Sequence, residues 1–356
     1  MSKKYIEGVV TLIEPANIAE PGGARVSDDG KILYGNNGRP LTRTIRTETI
    51  LATDGESIIS PFDGGNNIRG KLRRAASEVI FNALEEKGQT IKKETYSGMT
   101  SGAVSAQPKT DKLLLSESKA ANQHIFFGLF GGGPRLLPSA YQAYPLLPIL
   151  KSFIDNNIMP VRFDEVAVDY KSLRDMTEII YFIRRDDVLQ FTATNPDCIE
   201  DYDNAVESAQ QAVMENKSKR KAAKDDDSVT VKKTDLSNMG ALEVIKRGTP
   251  LRFRVDFKSG VTDEQIGLML MAVKSYAQDN IGGWGRIGLG QHKMDLQLFD
   301  GNKCLGDVLE YDNNEVKISD DMIDYLDAAH NAIDKITSEE LNGFMSEEVY
   351  YAPETA

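Results

Sequence analysis

Cysteine, histidine and long apolar runs are scarce in this chain of 356 residues. It has two cysteines, Cys198 and Cys304, and three histidines, His124, His292 and His330. Two cysteines are too few for a disulfide framework or a cysteine-based zinc site. The histidines are far apart in sequence, and no pair has the spacing of metal ligands. We therefore expect no structural metal and no cofactor.

The sequence also lacks the usual signatures of membrane proteins and enzymes. It has no run of about 18 apolar residues and no signal-peptide pattern at its start, so a cytoplasmic location without membrane contact is predicted. No Walker A or zincin motif occurs, and no histidine lies near a serine or cysteine in a nucleophile pattern. These absences favour a binding protein over an enzyme.

Negative charge is concentrated at one end of the chain. The net charge is −12, yet residues 301–356 alone contain 14 Asp/Glu and 3 Lys/Arg. The remaining 39 Lys/Arg and 40 Asp/Glu are nearly balanced, so local basic surfaces for nucleic acid are compatible with the composition. The acidic end is predicted to be a solvated extension around one amphipathic helix, which either docks to a partner or only aids solubility.

Glycine is dense at residues 282–290, which contain five glycines, the only tryptophan and one arginine. The spacing matches a dinucleotide-binding pattern, but that pattern needs a strand before it and a helix after it. Here a helical repeat comes first and a strand-like alternation follows, so no nucleotide cofactor is expected. Two interpretations remain, a backbone cradle for a polyanion and a tight turn that uses positive φ. The candidate contacts are Gly283, Trp284, Gly285, Arg286 and Gly288.

Periodicity predicts six core elements in the order β-α-β-β-α-β. The predicted elements are a strand at 5–13, a helix from Asn66/Asn67 to Glu86, strands at 178–184 and 251–258, a helix opened by Thr262-x-x-Gln265, and a strand from Met294. This order is the split βαβ, or ferredoxin-like, motif that RRM-type RNA binders also use. The fold class is therefore predicted to be α+β, with long insertions between the elements. Residues 21–40, rich in glycine, proline and asparagine, are expected to be a mobile loop.

Three groups of basic residues are candidate RNA contacts. Cations in the first turns of a helix oppose its dipole, and helix N-termini with nearby arginine bind phosphate, although a solvated helix face is the simpler alternative. Two arginines on one face of a predicted strand could follow an RNA backbone or pair with acidic residues. A run of lysine and arginine in the third insertion could be a flexible arm that closes over RNA or a solvated loop. These candidates are Arg69, Lys71, Arg73 and Arg74 on the helix, Arg252 and Arg254 on the strand, and Lys219 and Arg220 in the basic run.

Several of these segments resemble a known family. Residues 67–74 (NIRGKLRR) resemble a helix start of the repeat-associated mysterious proteins of CRISPR systems, and residues 243–253 (EVIKRGTPLRF) resemble their lead into the third strand. Residues 282–290 occupy the place of their C-terminal glycine-rich loop. Residues 130–138 (FGGGPRLLP) are similar to the backbone subunit of type IV effector complexes. The resemblance spans residues 5–300 and does not cover the acidic end.

The resemblance implies a hand-shaped protein that polymerises helically along a guide RNA. Its partners would be crRNA, a target DNA or RNA strand, copies of itself and other CRISPR effector subunits, among them a helicase. Each palm would grip the sugar-phosphate backbone without catalysis or cofactor. The implied division is a palm at 1–13, 61–87, 177–187 and 247–300, a finger loop at 14–60, a helical finger at 88–176, a thumb at 188–246 and the acidic extension at 301–356.

Two alternatives stay open at this stage. Relatives in type III systems cut target RNA with an aspartate that follows the first strand, and Asp28 or Asp29 could take that place with a metal ion. Such pairs in glycine-rich loops are usually turn residues. The second alternative is a structural protein that assembles through protein contacts alone.

Overall fold

A computed structural model describes most of the chain. The described residues are 3–22, 24–27, 29–33, 38–53, 55–102, 115–134, 137–185, 195–198, 200–204, 206–208, 210–211, 214–215, 237–312 and 315–346. They fall into two compact units. The larger unit contains Met1–Glu20, Thr44–Glu178 and Val244–Ala356, and the smaller one contains Pro21–Arg43 and Ile179–Glu243.

Strands and helices are both abundant, and the predicted α+β class is confirmed. The strands are β1 (Lys4–Leu12), β2 (Ala24–Val26), β3 (Ile32–Leu33), β4 (Arg39–Thr42), β5 (Arg46–Ile50), β6 (Ser57–Pro61), β7 (Tyr141–Ala143), β8 (Leu147–Pro148), β9 (Thr177–Arg185), β10 (Ser237–Ile245), β11 (Pro250–Phe257), β12 (His292–Asp300), β13 (Lys303–Asp307), β14 (Leu309–Asp312) and β15 (Glu315–Ile318). The helices are α1 (Gly65–Glu86), α2 (Lys93–Ser101), α3 (Leu115–Gln123), α4 (Ile125–Phe130), α5 (Lys151–Asp155), α6 (Leu173–Met176), α7 (Asp263–Gln278), α8 (Ile323–Ile333) and α9 (Ser338–Phe344).

The larger unit is built on a six-stranded sheet in the order β13-β12-β1-β11-β7, with β8 also paired to β11. Every described neighbour pair in this sheet is antiparallel. β1 lies between β11 and β12, with Glu7 opposite Arg254 on one side and Gln297 on the other. Strands β12, β1, β11 and β7/β8 with helices α1 and α7 reproduce the ferredoxin-like strand order. We call this sheet with its two helices the palm.

One strand of the predicted palm was assigned to the wrong sheet. Residues 178–184, within the predicted palm segment 177–187, do form a strand, β9, but β9 belongs to a five-stranded sheet with the order β3-β2-β4-β10-β9. The second palm position is filled by β7 and β8, which lie in the predicted helical finger at 88–176. Local alternation identifies a strand, whereas its partners depend on contacts far apart in sequence.

The other palm elements lie close to their predicted positions. Alternation on β11 places Leu251 and Phe253 in the core, while Arg252 and Arg254 lie on the opposite face. The predicted capping box of α7 is present, since the hydroxyl of Thr262 accepts from the Gln265 amide and the Gln265 side chain accepts in return. The N-cap of α1 was predicted wrongly.

The cap of α1 is Gly64 rather than Asn66 or Asn67, and no side chain caps it. The side-chain Nδ2 of Asn67 instead donates to Asp63 Oδ1 at 2.8 Å. Both asparagines therefore lie inside the first turn of the helix.

The acidic end is folded in its described part, contrary to the solvated extension that we predicted. β13 adds to the edge of the palm sheet, and α8 packs against α7. Met322, Ile333 and Leu341 are buried in the main core. Gly267 makes the helix contact possible, because a Cβ there would lie 2.0 Å from the carbonyl oxygen of Tyr325. The charge lies on the outer face of a packed layer.

The predicted mobile loop at 21–40 contributes strands to the smaller unit. β2 pairs with β3 and β4 in antiparallel fashion, and β4 pairs with β10 in parallel. Val26, Leu41 and Ala241 form a small buried cluster there. Three short strands joined by turns, each with few apolar residues, produce little periodicity, so the sequence favoured a loop.

Two buried histidines should make the stability of the larger unit depend on pH. His124 caps α4, with Nδ1 accepting from the amides of Phe126 and Phe127. Burial lowers the pKa of His124 to about 3. The pKa of His292 is lowered to about 4, and burial is the largest cause. The unfolded chain therefore binds these protons first as pH falls below about 6.5. Each histidine should cost about 2 kcal/mol of stability between pH 7 and pH 5.

A His124→Asn variant isolates this effect, because asparagine caps helices without titrating. Urea unfolding at pH 7 and pH 5 should show that the variant loses about 2 kcal/mol less than the wild type on acidification. An identical loss in both proteins would contradict the assignment of a neutral, buried His124.

Candidate nucleic-acid interface

The four basic residues of α1 have different environments, although they lie within two turns. Arg74 is exposed, and Arg69 is half-buried with its guanidinium 5.7 Å from the ring centroid of Tyr141. Arg69 Nη2 also donates to Ser139 Oγ at 3.3 Å. The helical phase therefore separates these cations into surface and interior groups.

Arg73 is an interior residue, which argues against our prediction that it contacts RNA. Only 9% of it is exposed, and its guanidinium donates to the carbonyl oxygens of Met99, Phe130 and Gly131. The same group lies 5.7 Å from the ring centroids of Phe126 and Phe130. Burial lowers the pKa of Arg73. This guanidinium holds the segment after α4 against α1, and its donors are used inside the protein.

Lys71 links α1 to the glycine-rich loop. Its Nζ donates to Asp279 Oδ2 at 2.7 Å and to the carbonyl oxygen of Asn280. These residues lie between the end of α7 and the loop at 282–290. Lys71 is 15% exposed and lies 5.6 Å from the ring centroid of Tyr276. Lys71 and Asp279 are 208 residues apart in sequence, so two distant motifs lie side by side.

The glycines of the loop serve mainly the protein's own packing. A Cβ at Gly282 or Gly290 would come within 2.2 Å of a backbone oxygen, and one at Gly285 would lie 2.5 Å from Asn280 Nδ2. Gly288 has open space but a φ of +86°. The amides of Gly283 and Gly288 donate to the carbonyls of Asn17 and Gly285, so these two N–H groups are not presented to a ligand. The tight-turn interpretation is favoured for these glycines.

Three of the four side chains of this loop are exposed, and the fourth, Leu289, is buried. Residues Gly285–Ile287 form one 3₁₀ turn. Trp284 is 40% exposed and Ile287 is 57% exposed, and Arg286 is exposed as well. Trp284 has φ +68° and ψ +20°, a left-handed conformation that costs a non-glycine residue free energy. The loop therefore holds a tryptophan and an arginine at the surface in a fixed, strained turn.

A small cavity of about 340 Å³ lies at the N-terminus of α1. Gly65, Asn66, Arg69 and Tyr141 are among the residues that line it. The carboxyl group of Asp63 lies just before this helix end and is buried, and burial raises its pKa. Because a carboxyl group already lies near the first turn, the helix dipole alone does not define an anion site here.

The strand face of the palm carries a charged cluster that includes both predicted strand arginines. Arg252 and Arg254 bind the buried carboxylate of Glu7, with Arg252 Nε at 2.7 Å and Arg254 Nη1 at 3.3 Å from Oε1. Arg162, in the 3₁₀ helix Val161–Phe163, pairs with the other oxygen of Glu7. Arg254 also binds Asp256 at 2.6 Å.

The sequence interpretation did not identify Arg162 or Glu7. Glu7 is the single acidic residue of β1, among mostly apolar and β-branched neighbours, and this isolated carboxylate was the available signal. Arg162 lies 155 residues from Glu7, and no local pattern connects them.

The remaining candidates fall outside these surfaces. Lys219, Arg220 and Asp28 lie outside the described residues. Asp29 accepts from the Ser27 hydroxyl and pairs with Lys31 at 3.1 Å, which are the contacts of a turn residue. No group of three potential ligands gathers into a metal site in the described ranges. Among the helices that can be described, none is long and apolar enough to cross a bilayer.

The fold and surface chemistry define an α+β protein with a ferredoxin-like palm and arginine-bearing surfaces. No protein-family model matches the chain, and no curated protein matches it. A solved structure titled "Type IV-B CRISPR Complex" is similar to this chain with a TM-score of 0.45 and 13% identity, covering 84% of this chain and 92% of that chain.

Proposed function

We propose that this protein binds single-stranded guide RNA, or crRNA, as the backbone subunit of a type IV-like CRISPR effector ribonucleoprotein. The observation that carries the proposal is that Trp284, in a left-handed backbone conformation, is exposed close to Arg286 on the loop at 282–290. The motifs at 67–74, 130–138, 243–253 and 282–290, which resemble CRISPR backbone subunits, support it from the sequence.

The chemistry of this surface suits a single strand. Aromatic side chains stack on bases of any sequence, and arginine binds the phosphates between them. Trp284 and Arg286 are two residues apart, and Lys71 joins the loop to α1, where Arg74 is exposed. A surface of this kind grips the RNA backbone without reading its bases, and specificity is then left to guide–target pairing.

We further propose that copies of the protein bind side by side along the guide. The filament presents the RNA to a target DNA or RNA strand and recruits other effector subunits, a helicase among them. Catalysis and a cofactor have no part in this role.

Replacing Trp284 by alanine should weaken binding of a labelled single-stranded RNA by about 1–3 kcal/mol, or roughly 5- to 150-fold, because one stacking partner is lost. Ile287→Ala is the matched control, since it removes an exposed apolar side chain without a π face from the same loop. Fluorescence anisotropy at fixed salt measures both.

Mass photometry of the same samples tests assembly, and the particle mass should increase in steps with guide length. Failure of the wild type to bind RNA at moderate salt would overturn the proposal. Equal affinities of the Trp284→Ala and Ile287→Ala variants would remove Trp284 from it.

A further inference from the structure

We propose that Arg162, Arg252 and Arg254 form a second phosphate-binding site, on the strand face of the palm, with Glu7 as its positioning residue. The ligand class is a phosphodiester of a nucleic-acid backbone. This inference rests on the proposed function, because it assumes that the protein binds RNA, but it concerns a different surface from the loop at 282–290.

Glu7 is the centre of this site. Its side chain is fully buried between β11 and β12, opposite Arg254 and Gln297. One carboxylate oxygen accepts from Arg252 and Arg254, and the other pairs with Arg162. A single buried carboxylate thus orients three guanidinium groups from two distant segments of the chain.

Aromatic rings fix the planes of two of these guanidinium groups. Tyr5 and Phe299 stack with their ring centroids 5.0 Å apart. The guanidinium of Arg162 lies 4.7 Å from the centroid of Phe299, and that of Arg254 lies 4.3 Å from the centroid of Tyr5. Such contacts limit side-chain motion, so these arginines lose little further freedom when they bind an anion.

The cluster has more positive than negative charge. Three arginines and Lys3 face the carboxylates of Glu7 and Asp256, an excess of two positive charges. Burial lowers the pKa of Arg252 to about 10, and the nearby Arg254 and Arg162 lower it further. An anion would relieve this repulsion, because it adds negative charge where solvent screens little.

The arginines of the cluster still have hydrogen-bond donors available for such an anion. Arg162 is 39% exposed, and the side chains of Arg252 and Arg254 are 19% and 21% exposed. Within the described part of the chain, Nη1 of Arg252 and Nη2 of Arg254 have no hydrogen-bond partner, and neither atom is buried. Planar guanidinium groups with outward N–H donors match the oxygens of a phosphate.

This site and the loop at 282–290 engage different parts of a nucleic acid. Ile6 and Phe253 face the core under α1, whereas Glu7 and Arg252 lie on the opposite face of the same strands. Val9 on that face is covered by the apolar cluster around Phe153, so the arginines lie at the margin of a covered area. A phosphate bound there belongs to a more distant segment of the same RNA strand.

The test measures affinity for a labelled single-stranded RNA over a potassium chloride series with the full chain. Arg162→Gln should weaken binding about tenfold at moderate salt. It should also reduce the slope of log affinity against log salt by about 0.7, the value for one lost phosphate contact on a single strand. Arg162→Lys retains the charge but not the fork of donors, and it should lose most of the same affinity.

The Glu7→Gln variant distinguishes a positioning role of Glu7 from a purely electrostatic effect of the net charge on RNA binding. The variant makes the protein one charge more positive, so a purely electrostatic surface would bind RNA more tightly. A positioning role predicts binding about tenfold weaker and a shallower salt slope, because glutamine leaves one neutral acceptor oxygen for the guanidinium groups and turns an NH2 donor toward them in place of the second carboxylate oxygen. The direction of the change therefore decides between the two.

Arg247 and Glu14 supply the matched controls. They form an exposed ion pair at 3.1 Å, with side chains 67% and 36% exposed. Arg247→Gln and Glu14→Gln make the same charge changes as the two test variants at a site away from the cluster. Circular dichroism and urea unfolding check that each variant is folded, and if Glu7→Gln is not, the two Arg162 variants decide.

Four outcomes overturn the inference. The first two are that Arg162→Gln binds RNA as tightly as Arg247→Gln, and that folded Glu7→Gln binds RNA as tightly as Glu14→Gln. The third is that Arg162 is needed for binding inorganic phosphate but not for binding RNA. The fourth is that Arg162 is needed for binding polyglutamate but not for binding RNA. Loss of RNA affinity in Trp284→Ala but not in Arg162→Gln leaves the proposed function intact and overturns only this second site. The reverse pattern retains the second site and removes Trp284 from the proposed function.

Discussion

Replacing Arg73 by methionine is expected to destabilise the larger unit by about 3–5 kcal/mol. The guanidinium donates to the carbonyl oxygens of Met99, Phe130 and Gly131, and all three contacts are buried. Methionine has a similar length but no donor, so these carbonyl groups would be left in the interior without this partner. The loss of buried hydrogen bonds to a charged group is among the costlier effects of a single substitution.

Urea unfolding of Arg73→Met and Arg74→Met measures the effect with a close control. The two residues are neighbours in α1 and undergo the same chemical change, but Arg74 is exposed. Arg74→Met should change stability by no more than about 0.5 kcal/mol. Equal stability of the two variants would show that Arg73 does not hold the segment after α4 in solution.

A Leu341→Ala substitution should cost about 2–5 kcal/mol, because a fully buried leucine would leave a cavity. Leu341 lies in α9, within the acidic end of the chain, and belongs to the main core. In a solvated extension, the same change would have almost no effect. The prediction therefore tests whether this end is part of the folded unit.

The control for Leu341→Ala is Ile323→Ala in the neighbouring helix α8. Ile323 is 50% exposed, so its truncation should cost about 0.5 kcal/mol or less. Urea midpoints of both variants at one pH give the comparison. A stable Leu341→Ala protein that unfolds at the wild-type midpoint would contradict the packed arrangement.

Local signals predicted much of the palm. Alternation along β11 and the pair Thr262 and Gln265 at the start of α7 are encoded within a few residues, and both were identified correctly. β7 has only three residues, too few for a periodic signal, and its place in the sheet depends on Phe257 pairing with Tyr141 across more than 100 residues. A strand assignment by pattern alone therefore gave β9 the position that β7 and β8 occupy.

For a similar reason, the surroundings of the candidate RNA contacts could be predicted from the sequence only in part. Arg73 precedes the buried residues Ser77 and Ile80 by four and seven positions, so the helical period itself indicated an interior position. Arg252 and Arg254 were recognised as one face of a strand, but the carboxylate beneath them was not. Glu7 meets them only because β1 inserts between β11 and β12, a pairing that sequence spacing does not encode.

The anchoring of the loop at 282–290 has a kinetic consequence. The Gly283 amide is bound to the Asn17 carbonyl and the Gly290 amide to the Pro15 carbonyl, so both ends of the loop are fixed to the chain after β1. A ligand at Trp284 meets a surface whose conformational entropy was lost at folding, and little reordering accompanies association. Binding should then approach the rate of rigid docking, with differences between RNA sequences and loop variants appearing chiefly in the dissociation rate.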